Sequence, residues 1–187
     1  MSAPDAHAET EPPTGAIDQL HLPAALGFLT GAGLNPRSVR GAIYGTIIVT
    51  AVVAGSSESV QSATKLVGLA IATSVVYWLA HVYCELIEAF IEARRRPSLR
   101  LIGRTLAQEW PIVQAGLLPV LGLLFGVAGV LDDGEAVDLA LALGIIDLTV
   151  WGLILGLRQH LRWPGVLLTG GLNALFGGLI VAIKVAI

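Results

Sequence analysis

Cysteine is nearly missing from this 187-residue chain, with Cys84 its single representative. One thiol cannot close an intrachain disulfide, and no Cys-based zinc site can be built from it. Charge is scarce at 13% of residues, and aromatics are scarcer at 6%. A water-soluble domain needs more polar residues than this to cover its outward faces. There is no basic stripe on a soluble fold, which excludes nucleic acid as a partner. Enzyme signatures are missing too: no Gly-rich phosphate loop with its Lys, no HExxH, no Ser nucleophile beside a His base. The chain reads as a non-enzyme that needs no cofactor.

What is present is hydrophobic length. Hydrophobic residues make up 55% of the chain and the mean hydropathy is +0.76. Several apolar runs approach or exceed the ~18–20 residues that cross a bilayer as a helix. The pattern predicts an all-α, polytopic bundle of five spans, at about 38–56, 65–92, 111–131, 138–157 and 165–187. Ahead of them, residues 1–19 form an acidic, Pro- and Thr-containing tail expected to be disordered. This tail lacks the positive n-region of a signal peptide, so insertion is expected to begin with the first span. Residues 20–36 are apolar but short and broken by Pro23, which suits a segment lying on the membrane surface.

The charges set an expected orientation. The first 35 residues carry four acidic groups and no Lys or Arg, whereas the rest carries 11 basic and 10 acidic residues. Arg37 and Arg40 precede span one, "RRRPSLRLIGR" follows span two and "RQHLR" follows span four. The alternate loops are "SSESVQSAT" and the acidic "DDGEAVD". Positive residues stay inside, so the N-terminus is expected in the cytoplasm and the C-terminus outside, in the plasma membrane. Asp132, Asp133, Glu135 and Asp138 lack the ligand spacing of a calcium loop, and solvation is their expected role. Trp110-Pro111 and Trp163-Pro164 both open outward-running spans, Trp at the headgroups and Pro in the first helical turn.

Residues 98–110 read as an interfacial amphipathic helix. Leu99, Ile102, Leu106 and Trp110 share one face, and Arg100, Arg104 and Gln108 another. With Arg94, Arg95 and Arg96, the basic groups would meet anionic headgroups at about 1 kcal/mol each. Gly41/Gly45, Gly122/Gly126 and Gly152/Gly156 are spaced i, i+4 and mark close-packing helix faces, within one subunit or in a homo-oligomer.

The unusual feature is polarity inside the apolar runs. In "VVYWLAHVYCELIEAFIEARRR", Ser74 just before it and then Tyr77, His81, Glu85, Glu88 and Glu92 fall in one stripe of span two. Span four adds Asp147, span five Asn173 and span three Gln114. Such groups belong against other helices or a water-filled cavity. Spans two to five are therefore expected to enclose a polar pocket. His81, Glu85 and Asp147 would exchange protons or cations there, with Tyr77, Glu88, Asn173 and Gln114 in support. Two carboxylates and an imidazole could also ligate a divalent metal. The other reading is structural: each polar group fastens a helix or a partner through a hydrogen bond worth about 0.6–2 kcal/mol.

"YWLAHVYCELIEAF", "QEWPIV" and "LNALFGGLIVAIKVAI", in that order, resemble a group of small five-span membrane proteins of actinobacterial type. That resemblance implies membrane location and fold. A more distant likeness, through "RGAIYGTIIVTAVVAG" and the glutamates leaving span two, is to vacuolar-iron-transporter-type carriers. Here span one has no carboxylate for a transported metal, and the segment after Glu92 contributes only Glu109.

Overall fold

The computed structural model describes residues 36–57, 62–94 and 98–186. Seven helices lie among them, with no strand: α1 (Pro36–Ser56), α2 (Ala63–Ala93), α3 (Leu99–Glu109), α4 (Pro111–Ala115), α5 (Leu117–Val127), α6 (Asp133–Arg158) and α7 (Trp163–Ala186). The tail 1–19, the segment up to residue 35, and Arg95 and Arg96 lie outside the described residues. Helices α1, α2, α6 and α7 are each long and apolar enough to cross a membrane. Helix α2, with 31 residues, is about 46 Å long, well beyond a hydrocarbon core of about 30 Å.

The stretch expected as the third span, over 111–131, is not one continuous helix. The stretch Leu99–Ala115 and helix α5 meet at a 48° bend. Pro119 is the cause. It has no N–H for the Ala115 carbonyl four residues earlier, and its ring crowds that carbonyl. Helix α5 ends at Val127, where Gly129 takes φ +72° and the amides of Val130 and Leu131 turn back to the Phe125 carbonyl.

Helix α1 is the centre of the bundle, touching α2, α3, α4, α5, α6 and α7. One core cluster joins Val49, Val53 and Ala54 of α1 to Leu66 and Ala70 of α2, Val120 and Leu123 of α5, and Ala140 and Leu141 of α6. Large apolar residues are exposed as well: Val76, Phe90 and Ile91 on α2, and Leu167, Leu175 and Phe176 on α7. Helices apolar on their outer as well as their inner faces suit a bundle solvated by lipid.

The three glycine pairs are used within the chain. A Cβ on Gly122 would meet Ala140, and one on Gly126 would meet Ala136 and Ala63. Gly152 and Gly156 face Thr169, Asn173 and Val166 of α7, and Gly41 and Gly45 face Ile112 of α4.

The acidic loop before α6 has structural work beyond solvation. The Asp132 carboxylate accepts from the Glu135 amide at 2.7 Å, and the Glu135 side chain accepts from the Asp132 amide at 3.3 Å. This capping box starts α6 five residues before the expected boundary. Asp133 accepts from the Ala63 amide at 2.9 Å, tying the start of α2 to the start of α6. Asp138 lies 3.4 Å from Lys184 of α7. Asp132→Ala is expected to cost about 1 kcal/mol, read as a lower thermal midpoint of the purified protein.

Candidate functional site

The polar stripe of α2 faces α1 and α3 at the arginine-rich end of the bundle. There Arg40, Glu85, Glu88, Ala89, Glu92, Leu101, Thr105 and Gln108 line a cleft of about 370 Å³. The cleft is acidic: three glutamates meet one arginine, with Arg40 Nη2 3.7 Å from Glu85 Oε1. Its floor is set by how α3 docks. The Trp78 indole N–H donates to the Leu106 carbonyl at 3.2 Å, and the Trp78 and Trp110 rings meet edge to face with centroids 5.3 Å apart.

That docking rotates α3 away from the orientation expected of a surface helix. Leu99 is exposed, while Thr105 and Glu109 are buried. Glu109 is only 3% exposed, and its Oε2 lies 3.8 Å from His81 Nε2. The His81 ring sits between two tyrosines, with centroids 6.5 Å from Tyr44 and 5.9 Å from Tyr77. A carboxylate and an imidazole at this separation can share or pass a proton through one small shift or one water. The signal available in the sequence was Thr105-x-x-x-Glu109 beside the apolar stripe, just before the Trp-Pro that opens a span.

Asp147 has a different neighbourhood. It accepts from the hydroxyl of Thr46 on α1, and the Trp151 side chain, one turn on, also hydrogen-bonds to it. Thr46 Oγ1 further lies 3.1 Å from the Ala42 carbonyl and 3.4 Å from the Ala115 carbonyl. One turn along α1, Thr50 is fully buried against Gly144, and its hydroxyl has no hydrogen-bond partner among the described residues. From Arg40 to Thr46 is six residues, or about 9 Å along α1. The acidic cleft, the His81–Glu109 pair and the Asp147 cluster thus follow one another along the same central helix.

The expected pocket of spans two to five is corrected in this respect. Span one, which has no carboxylate, supplies Arg40 to Glu85, Tyr44 to His81 and Thr46 to Asp147. His81, Glu85 and Asp147 form no shared metal site: among the described residues, no three of His, Cys, Asp and Glu are grouped to hold a metal ion. Asn173 donates to the Thr169 carbonyl of its own helix at 2.9 Å and borders a groove of about 420 Å³ with Arg40, Tyr44, Ile47 and Phe176. Gln114 is half-buried in α4. Arg94 ends α2 in the left-handed conformation, φ 50°, and Arg100 and Arg104 are exposed on α3. Comparison with protein-family models, with curated proteins and with solved structures finds no match for this chain.

Proposed function

We propose that this is a small transporter or channel-like protein for protons or cations in the plasma membrane, its arginine-rich end in the cytoplasm. The observation that carries the reading is Glu109, a carboxyl 3% exposed, beside His81, which lies one turn of α2 from Glu85 in the acidic cleft. Ionisable groups in a membrane interior are costly, and those that line ion and proton paths form such chains. In this reading Glu85, Glu88 and Glu92 gather cations at the mouth, His81 and Glu109 pass a proton, and Asp147 is the deeper station. Tyr44 and Tyr77 hold the imidazole in place. Arg94, Arg100 and Arg104 contact anionic headgroups, and no enzymatic step is involved.

The competing reading, a structural or accessory protein, draws on polar contacts that each join two helices, such as Trp78 to Leu106 and Arg40 to Glu85. Flux in liposomes decides between them, followed with an interior pH dye and cation-sensitive dyes. Wild type is expected to conduct, and Glu109→Gln and Asp147→Asn, folded normally, to lose roughly tenfold or more of that flux. Wild-type liposomes no leakier than empty ones, for protons and every cation tried, would leave the structural reading in possession.

A further inference from the structure

We infer that the bend in the third crossing binds a monovalent cation of the sodium type, on the Asp147 carboxylate, the Thr46 hydroxyl and the Ala115 carbonyl. The inference rests on the cation-handling reading above and gives it a specific ion and place.

The Ala115 carbonyl is freed by sequence. The amide that would pair with it in a continuous helix belongs to Pro119 and carries no hydrogen. The carbonyl instead lies 3.4 Å from Thr46 Oγ1. It is also the end of the stretch Leu99–Ala115, so the negative pole of that half-crossing points at the same spot. Exposed carbonyls at the ends of interrupted helices are a general means of binding sodium at mid-membrane depth.

Proton counting then shows what the cluster is short of. Thr46 has one hydroxyl proton, yet three acceptors surround its oxygen: the carbonyls of Ala42 and Ala115, and Asp147 Oδ2. The Ala42 carbonyl belongs to the ladder of α1. The Thr46 hydroxyl proton and the Trp151 side chain are the donors that serve Thr46, the Ala115 carbonyl and the Asp147 carboxylate, which leaves acceptor capacity over. A small cation bound there replaces the Thr46–Asp147 hydrogen bond and engages all three oxygens at once. The ligands are all oxygen, which selects a hard ion. They carry one formal negative charge, which a monovalent ion neutralises and a divalent one would overshoot in a low-dielectric setting. Thr50, buried one turn further along the same interface and without a partner, offers the next oxygen, and Gly144 leaves no side chain opposite it.

The test is sodium binding to the full-length protein purified in detergent, by radioactive sodium uptake at equilibrium and by thermal midpoint in NaCl against choline chloride. Wild type is expected to bind sodium saturably and to melt higher in NaCl. Asp147→Asn should abolish both effects. Thr46→Ala should weaken binding about tenfold while Thr46→Ser keeps it, since only the hydroxyl is a ligand. Pro119→Ala is the sharpest variant. It returns an N–H to the Ala115 carbonyl, so it should raise the midpoint in choline yet weaken sodium binding. No saturable binding in wild type, or binding indifferent to Thr46→Ala and Pro119→Ala, overturns the site. Proton flux in liposomes without sodium binding also overturns it and leaves the transport reading intact. Sodium binding without any flux upholds the site and removes the transport reading.

Discussion

Gly45→Ala is expected to destabilise the protein by about 3 kcal/mol, at the upper end of what overpacking costs. A Cβ at Gly45 would fall on the Ile112 carbonyl group, with the carbonyl carbon 2.9 Å away. That is main chain, held by the turn that joins α3 to α4, and it cannot rotate aside as a side chain can. Gly41, one turn earlier, is the control. Its added Cβ would first meet Ile112 Cγ1 at 3.1 Å, a flexible side chain, so Gly41→Ala should cost under about 1 kcal/mol. Thermal unfolding of both variants, followed by tryptophan fluorescence, gives the comparison. Equal midpoints would mean that α1 and α4 do not cross this closely. The variant also bears on the candidate site, because Ala115 lies in the same short helix as Ile112. Pushing α4 outward withdraws the Ala115 carbonyl from Thr46, so Gly45→Ala should lose sodium affinity even in the fraction that folds.

The long helices were legible in the sequence because hydrophobic length alone specifies them. Helices α1, α2, α6 and α7 lie within a few residues of the expected spans. The bend was legible in principle, since Pro119 sits inside an apolar run, but bulk hydropathy across 111–131 concealed it. Asp132-x-x-Glu135 is likewise a capping signature in plain sight, obscured by reading the acidic loop only as solvated. The candidate site was half legible. Carboxylates and histidine stand out against an apolar background, and the stripe from Ser74 to Glu92 follows from helical phase. Their partners do not stand out. Thr46 and Thr50 read as ordinary members of an apolar helix, and only the arrangement of helices shows that one bonds to Asp147 while the other packs on Gly144 with no hydrogen-bond partner among the described residues. The inward face of α3 was missed for a related reason. Its apolar stripe predicts where lipid lies, but docking through Trp78 and Trp110 sets which neighbouring residues turn inward.

Removing the imidazole beside Glu109 is the second change expected to have a large effect. His81→Ala should lower stability by about 2 kcal/mol. This is less than the 3–5 kcal/mol of a fully buried pair, because the His81 side chain is 25% exposed while that of Glu109 is 4% exposed. The mechanism is specific: a carboxylate enclosed by helices loses a neighbour able to carry positive charge. Glu109→Gln removes the charge while keeping hydrogen-bonding capacity, so adding it to His81→Ala should return part of the loss. A double-mutant cycle on thermal or denaturant unfolding should then give a coupling of about 1–2 kcal/mol. The Arg40–Glu85 pair provides the scale. Arg40 is 51% exposed and the separation is 3.7 Å, so its cycle should give no more than about 1 kcal/mol. A His81–Glu109 coupling no larger than that of the exposed pair would show that this pair does not hold α3 in place. It would also remove the basis for a proton relay at this point. A larger coupling, together with flux loss in Glu109→Gln out of proportion to its small effect on stability, would separate conduction from fastening at a single carboxyl group.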